Sequence, residues 1–141
     1  MPEGKKITGV VFSDLGRGAS FMALDWVQRL MRERLGFTPF AGTLNLRLSS
    51  EQEVTLWNDM RNSIKGVDIV PPEPSFCRAR CLLARIEGLS KDGSDGMRVA
   101  VLVPEVDSYP ANKVEVIAPF PIKESLHLQD GDRLTLQFNG N

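Results

Sequence analysis

The sequence contains few of the residues that build metal centres and disulfide scaffolds. It has one histidine and two cysteines, so we expect neither a zinc site nor a disulfide framework. Cys77 and Cys81 lie four residues apart on a predicted strand, which separates their Cα atoms by about 13 Å, too far for a bond between them. We expect two buried thiols. The single histidine, His127, is flanked by turn-forming residues and is expected in a surface loop.

The sequence also lacks long apolar runs and a strong charge of either sign. No stretch of about 18 apolar residues is present, and the first residues, "MPEGKKITGVVF", lack the apolar core of a signal peptide. The net charge of −1 gives no basic field that would attract nucleic acid or a membrane surface. We therefore expect a cytoplasmic protein with neither partner, and no obligate protein partner is indicated.

The remaining composition is typical of a globular domain, with 42% hydrophobic residues in 141. No repeat or change in composition divides the chain, so we expect a single domain over residues 1–141. From residue 76 onward, apolar or alternating runs are separated by turn signals such as "KDGSDG" and "LQDGD". About six strands and two helices near the start predict a mainly β fold, namely a small β-barrel. The pattern does not distinguish this barrel from a two-sheet sandwich.

Two segments in the first half have helical signals. Apolar residues recur at helical spacing from residue 21 to residue 35, with Ser20 as a candidate N-cap and Gly36 as a candidate C-terminal stop. Ser50 and Glu53 have the spacing of a capping box, which predicts a short helix after residue 50. Residues 65–75 contain three prolines and are expected to form a loop.

The stretch "FAGTLNLRL", residues 40–48, alternates leucines with Thr43, Asn45 and Arg47. Successive side chains of a strand point to opposite faces, so the three polar side chains share one face. The oxygens of Thr43 and Asn45 are of the kind that Mg²⁺ accepts, and such a site would need nucleotide phosphates to supply further ligands. A polar face exposed to water explains the same alternation, and the pattern alone favours that explanation.

Two further segments have patterns consistent with ligand binding. In "DLGRGAS", Gly16 and Gly18 lie between a predicted strand and a predicted helix, where backbone N–H groups can approach an anion. In "KVEVIAP", Glu115 faces away from its valine neighbours and can accept a hydrogen bond or a proton from a ligand. A simple turn and an exposed glutamate are the structural alternatives.

Taken in order, these segments resemble the archaeal-type CTP-dependent riboflavin kinase family. The resemblance rests on "LGRG" before a helix, then "LGFTPFAGTLN", "VEVIAP" and "LQDGD", and it covers almost the whole chain. It implies a six-stranded cradle-loop β-barrel and Mg²⁺-dependent phosphoryl transfer from CTP to riboflavin, giving FMN and CDP. A barrel with one metal and a glycine loop suffices for such chemistry, which needs mainly alignment and charge neutralisation.

The resemblance also implies roles for individual residues. Thr43 and Asn45 would hold Mg²⁺, and Glu115 would contact the flavin and is the candidate catalytic residue. The phosphate loop would consist of Leu15, Gly16, Arg17, Gly18, Ala19 and Ser20. The cytosine would be read, largely through backbone groups, by Phe120, Pro121, Ile122 and Lys123.

The sequence departs from the family pattern at three places, one of which is "VLVP", where a basic residue often seen in the family is absent. Asp14 stands where many members have glycine, and Asp107 stands where a threonine contacts the flavin phosphate. A carboxylate at position 107 would repel a phosphate group, so three alternatives to riboflavin phosphorylation stay open. The protein could use a different acceptor or nucleotide, could be a catalytically silent barrel that binds a nucleotide, or could be a related DNA-binding barrel. The net charge argues against the last.

Overall fold

A computed structural model describes residues 5–13, 17–72, 78–87 and 97–138, with the backbone alone at 17–19. Seven strands are present in these ranges: β1 (Lys5–Phe12), β2 (Leu44–Arg47), β3 (Val67–Ile69), β4 (Ala79–Ile86), β5 (Arg98–Pro104), β6 (Lys113–Ile117) and β7 (Arg133–Phe138). The four helices of the same ranges are α1 (Arg17–Met22), α2 (Asp25–Leu35), α3 (Glu51–Ser63) and α4 (Ile122–Ser125).

The sheet closes into a six-stranded antiparallel barrel. Its strand order is β4-β5-β6-β2-β1-β7, and β4 also pairs with β7 through Arg85–Gln137 and Ile86–Leu136. This last pairing makes the fold a barrel rather than a sandwich, and it confirms the predicted mainly β architecture. The short strand β3 pairs with β4 outside the barrel. It falls in the segment that was expected to be a loop, so that part of the prediction was wrong for residues 67–69.

Two hydrophobic clusters lie on opposite sides of the barrel wall. The first fills the interior with residues such as Leu44, Leu46 and Phe138, and α3 closes it by packing Trp57 and Met60 against it. The second cluster lies outside the barrel, where Met22, Val27 and Met31 of α1 and α2 cover one outer face of the sheet. The strand residues of this cluster are Ala79, Cys81, Ala100, Leu102 and Ile117. The outer face is therefore partly buried, which allows polar groups at its margin to be shielded from water.

The helix boundaries confirm two of the predicted caps and contradict one. Ser50 accepts a hydrogen bond from the N–H of Glu53 at the start of α3, and Gly36 ends α2 with a φ of 84°. Ser20 does not begin a helix, because α1 already starts at Arg17. The predicted helix over 21–35 is instead interrupted at Leu24, which is extended (φ −67°, ψ 136°) and is the N-cap of α2.

The cysteine and histidine predictions have the following outcomes. Cys81 is buried, and its burial raises the pKa of the thiol to about 12. Cys77 lies outside the described residues. His127 is exposed in the turn after α4, as expected. No helix among the described residues is long and apolar enough to cross a membrane.

Candidate active site

A row of four side chains crosses the outer face of the barrel at the centre of the candidate site. Asn45 on β2 pairs in register with Phe12 on β1 and with Glu115 on β6, and Glu115 pairs with Leu102 on β5. Residues paired directly across an antiparallel ladder share a face. Leu102 belongs to the cluster under α1 and α2, so the row runs from the helix-covered part of the sheet to Phe12.

Asn45 is a buried polar residue whose amide oxygen has no partner among the described residues. Its exposed fraction is 9%, and Oδ1 accepts no hydrogen bond from any described residue. Leaving such an acceptor unpaired costs about 1–3 kcal/mol. A native fold tolerates this cost most readily where a ligand or ion supplies the partner.

Glu115, the cross-strand neighbour of Asn45, is also buried, with 8% of its surface exposed. The hydroxyl of Tyr109 donates a 2.6 Å hydrogen bond to Oε2. The ammonium of Lys113 lies 4.0 Å from Oε1 and 5.7 Å from the centroid of the Tyr109 ring. The carboxylate is therefore held in one orientation from two sides.

Thr43 lies immediately before β2 and is half-buried. The segment that leads to it is fixed against the chain beyond β6, because the N–H of Phe40 donates to the carbonyl of Ala118 at 2.7 Å. The next turn is closed by a hydrogen bond from Gly42 to the Phe40 carbonyl. The segment around Thr43, which the resemblance assigns to the metal, thus lies next to the segment after β6, which the resemblance assigns to the cytosine.

The segment assigned to the base, residues 120–123, leads into α4, with Pro121 as its N-cap and Ile122 buried in the barrel interior. The ammonium of Lys123 lies 2.7 Å from Oδ1 of Asp130 and 3.2 Å from the hydroxyl of Ser13. Ser13 in turn donates to the same carboxylate. The base segment is therefore tied to the end of the chain segment that precedes the predicted phosphate loop by two residues in sequence.

The predicted phosphate loop is described only in part. Leu15 and Gly16 lie outside the described residues, and Arg17, Gly18 and Ala19 are described by backbone alone. That backbone is helical and leads to Ser20, which is exposed within α1. The second half of the segment is therefore the first turn of a helix rather than a loop.

Asp107 lies on an exposed turn that a hydrogen bond from Tyr109 N–H to the Val106 carbonyl closes. The same turn brings Tyr109 to Glu115. Sequence reasoning named Asp107 and missed Tyr109, although it is the only tyrosine of the chain. It also missed Lys113, which the two-residue alternation of a strand places on the face of Glu115.

Comparison with known proteins identifies the family of the chain. The family model named CTP-dep_RFKase, described as "Domain of unknown function DUF120", matches residues 11–138. The chain belongs to this CTP-dependent riboflavin kinase family. The match includes every strand of the barrel except β1, of which it covers only the last two residues.

Curated archaeal relatives of the family carry the name "Riboflavin kinase". The chain is 33% identical over 132 residues to the protein of Pyrobaculum islandicum, covering 94% of this chain and 59% of the relative. It is 33% identical over 138 residues to that of Methanosarcina mazei, covering 96% and 57%. The chain thus spans less than two thirds of the length of these relatives.

Proposed function

We propose that this chain transfers the γ-phosphoryl group of CTP to the ribityl hydroxyl of riboflavin, giving FMN and CDP, in the cytoplasm and with Mg²⁺ as cofactor. The names of the family and of its archaeal relatives support both substrates. The structural observation that supports the proposal most strongly is the buried Asn45 amide, whose oxygen has no partner among the described residues and whose backbone pairs in register with Glu115.

The residues present fit a hard cation. Asn45 offers an unpartnered oxygen and Thr43 a hydroxyl two residues away. In the described parts of the chain, no three His, Cys, Asp or Glu side chains form a cluster that could hold a metal, so phosphate and water oxygens would complete the coordination. When bound, Mg²⁺ would neutralise charge on the phosphates.

The reaction requires one bond to form as another breaks. The hydroxyl oxygen of riboflavin bonds to the γ-phosphorus of CTP while the bond from that phosphorus to the β–γ bridging oxygen breaks, and CDP leaves. Glu115 is our candidate to accept the hydrogen bond or the proton of the attacking hydroxyl, and Tyr109 and Lys113 hold its carboxylate. Residues 120–123 would bind the cytosine, and the segment from Leu15 to Ser20 would bind its phosphates.

A turnover assay tests this function directly. Purified protein with Mg²⁺ and riboflavin is supplied with CTP, ATP, GTP or UTP, and FMN is separated by chromatography. We expect FMN with CTP and its loss in Asn45→Ala, whereas Asn62→Ala, an exposed asparagine of α3, should retain activity. Full activity of Asn45→Ala would contradict the metal assignment.

A re-targeted or silent barrel is the second candidate, because Asp107 replaces the threonine that the resemblance leads us to expect. Thermal shift separates it from the first. Stabilisation by CTP without stabilisation by riboflavin, and without FMN formation, would indicate a different acceptor or a nucleotide-binding module.

A further inference from the structure

The motif "LQDGD", residues 128–132, folds into a turn that is fixed against the end of β1. The N–H of Asp132 donates to the carbonyl of Gln129 at 3.0 Å, and Oδ2 of Asp132 accepts a hydrogen bond from the N–H of Gln129 at 2.7 Å. The N–H of Val11 on β1 donates to the carbonyl of Asp132 at 2.7 Å. These hydrogen bonds fix the backbone on which Asp130 lies.

The carboxylate of Asp130 joins two other side chains in a closed network. The hydroxyl of Ser13 donates to both carboxylate oxygens, at 3.0 Å and 2.8 Å. The ammonium of Lys123 lies 2.7 Å from Oδ1 and donates to the Ser13 hydroxyl at 3.2 Å. Because each of these groups contacts the other two, a shift of any one of them would break its contacts with both of the others.

The two partners of Asp130 come from the two parts of the chain that would bind the nucleotide. Lys123 is the last residue of the base segment, residues 120–123, and Ser13 precedes the predicted phosphate loop by two residues in sequence. One CTP molecule would contact both parts. A site whose parts are already held in place loses less conformational freedom when the ligand binds. The position of the network therefore favours a role in nucleotide binding.

An exposed ion pair is not by itself a sign of function. Lys6 and Glu87 form such a pair at the other end of β1, with 2.8 Å between the ammonium and the carboxylate. The Asp130 network differs from this pair because it has a third member and because it joins two segments that are assigned to one ligand. The Lys6–Glu87 pair therefore serves as an internal control.

We propose that Asp130 is a positioning residue for the nucleotide, whose carboxylate holds Lys123 and Ser13 together so that the base segment and the phosphate loop bind one CTP molecule. This inference rests on the proposed function, and it gives the "LQDGD" motif a part in CTP binding. Asp130 touches neither substrate in this role. Its removal should therefore weaken nucleotide binding and leave the chemical step unchanged.

Steady-state kinetics and calorimetry test the inference. The KM for CTP, the KM for riboflavin and kcat are measured, together with the dissociation constant of CDP in the presence of Mg²⁺. All measurements are made at a temperature at which circular dichroism shows that every variant is folded. The variants are Asp130→Ala, Asp130→Asn, Ser13→Ala, the double variant of Ser13→Ala with Asp130→Ala, and the control Glu87→Ala.

We expect Asp130→Ala to raise the KM for CTP and the dissociation constant of CDP about three- to fivefold, as the loss of an exposed ionic contact implies. The KM for riboflavin and kcat should change less than about 1.5-fold, because only nucleotide binding is affected. Asp130→Asn keeps an acceptor oxygen and should fall between. The double variant should have a smaller effect than the product of the two single effects, since both substitutions break one network. Glu87→Ala should match the unmodified protein.

The outcomes separate this inference from the proposed function. An unmodified protein that makes FMN, together with equal CDP affinities for Asp130→Ala and Glu87→Ala, would overturn the inference and leave the function intact. Equal increases in the KM for CTP and for riboflavin would also overturn it, since they would indicate a general effect on the fold. Absence of both CDP binding and turnover in the unmodified protein would overturn the function itself.

Discussion

The hydroxyl of Tyr109 donates a 2.6 Å hydrogen bond to Oε2 of Glu115. The donor comes from the loop between β5 and β6, and the acceptor lies within β6 on the outer face of the barrel. Only 8% of the surface of Glu115 is exposed, so little water is available to hydrogen-bond the carboxylate in place of Tyr109. The contact thus orients the carboxylate that we assign to the attacking hydroxyl.

Removal of this hydroxyl should affect the acceptor more than the nucleotide. We expect Tyr109→Phe to lower kcat/KM for riboflavin about tenfold and to cost about 1.5–3 kcal/mol of unfolding free energy, the range for a hydrogen bond to a charged group. Steady-state kinetics and urea unfolding measure the two effects. The phenyl ring remains for packing, so an unchanged riboflavin KM and kcat would show that Glu115 needs no such orientation.

Asn45 should show a trade-off between function and stability. Replacement of a buried side chain whose oxygen lacks a partner among the described residues by an apolar side chain of similar shape is expected to be close to neutral or stabilising. We expect Asn45→Leu to unfold at the same urea concentration as the unmodified protein or a higher one, while FMN formation is lost. A loss of more than about 1 kcal/mol in Asn45→Leu would indicate that the amide supports the fold rather than a ligand.

The cluster of Ser13, Lys123 and Asp130 predicts a pH-dependent contribution to stability. Hydrogen bonds from Lys123 and then Ser13 lower the pKa of the Asp130 carboxyl. A carboxyl whose pKa is lower in the folded state than in the unfolded state stabilises the fold at pH values above the unfolded-state pKa of about 3.9. This contribution is lost as the pH falls through the folded-state pKa. The difference in Tm between the unmodified protein and Asp130→Asn should therefore shrink from about pH 7 to about pH 3.

Added salt should reduce the same difference in Tm at neutral pH. The side chains of Lys123 and Asp130 are about half exposed, so dissolved ions screen their attraction. Lys123→Met is the matched variant and should remove most of the pH dependence. A difference that stays constant with pH would show that the cluster does not contribute through charge.

Two glycines with positive φ should respond differently to alanine. Gly66 has a φ of 68°, and a Cβ there would lie 2.5 Å from Cδ2 of Leu82 and 2.9 Å from the carbonyl oxygen of Cys81. Gly36 has a φ of 84° but no atom within 4 Å of such a Cβ. We expect Gly36→Ala to cost about 1 kcal/mol from backbone strain.

Gly66→Ala should cost more than Gly36→Ala, since the clash with fixed backbone adds to the strain. Chemical unfolding of both variants under identical conditions measures the difference. Equal costs would mean that the segment at β3 moves to accommodate the methyl group.

The sequence determined the properties that depend on neighbouring residues. Alternation placed Asn45 on the face opposite its leucine neighbours, because a strand turns each side chain by half a revolution. The caps at Ser50 and Gly36 follow from local hydrogen bonding and local φ. The order of the motifs indicated the family, which the match over residues 11–138 shows. The break at Leu24 escaped prediction, because apolar residues keep helical spacing on both sides of it.

Only the tertiary structure decided which distant residues meet. Pairing of β4 with β7 closed the barrel, and the register of β2 against β6 set Asn45 beside Glu115 and Arg47 beside Lys113. Ser13 and Lys123, 110 residues apart in sequence, meet because β1 and the segment around α4 pack at the same end. Such contacts depend on ladder register and loop closure, which are properties of the whole packed chain and leave no periodic signal in any short segment.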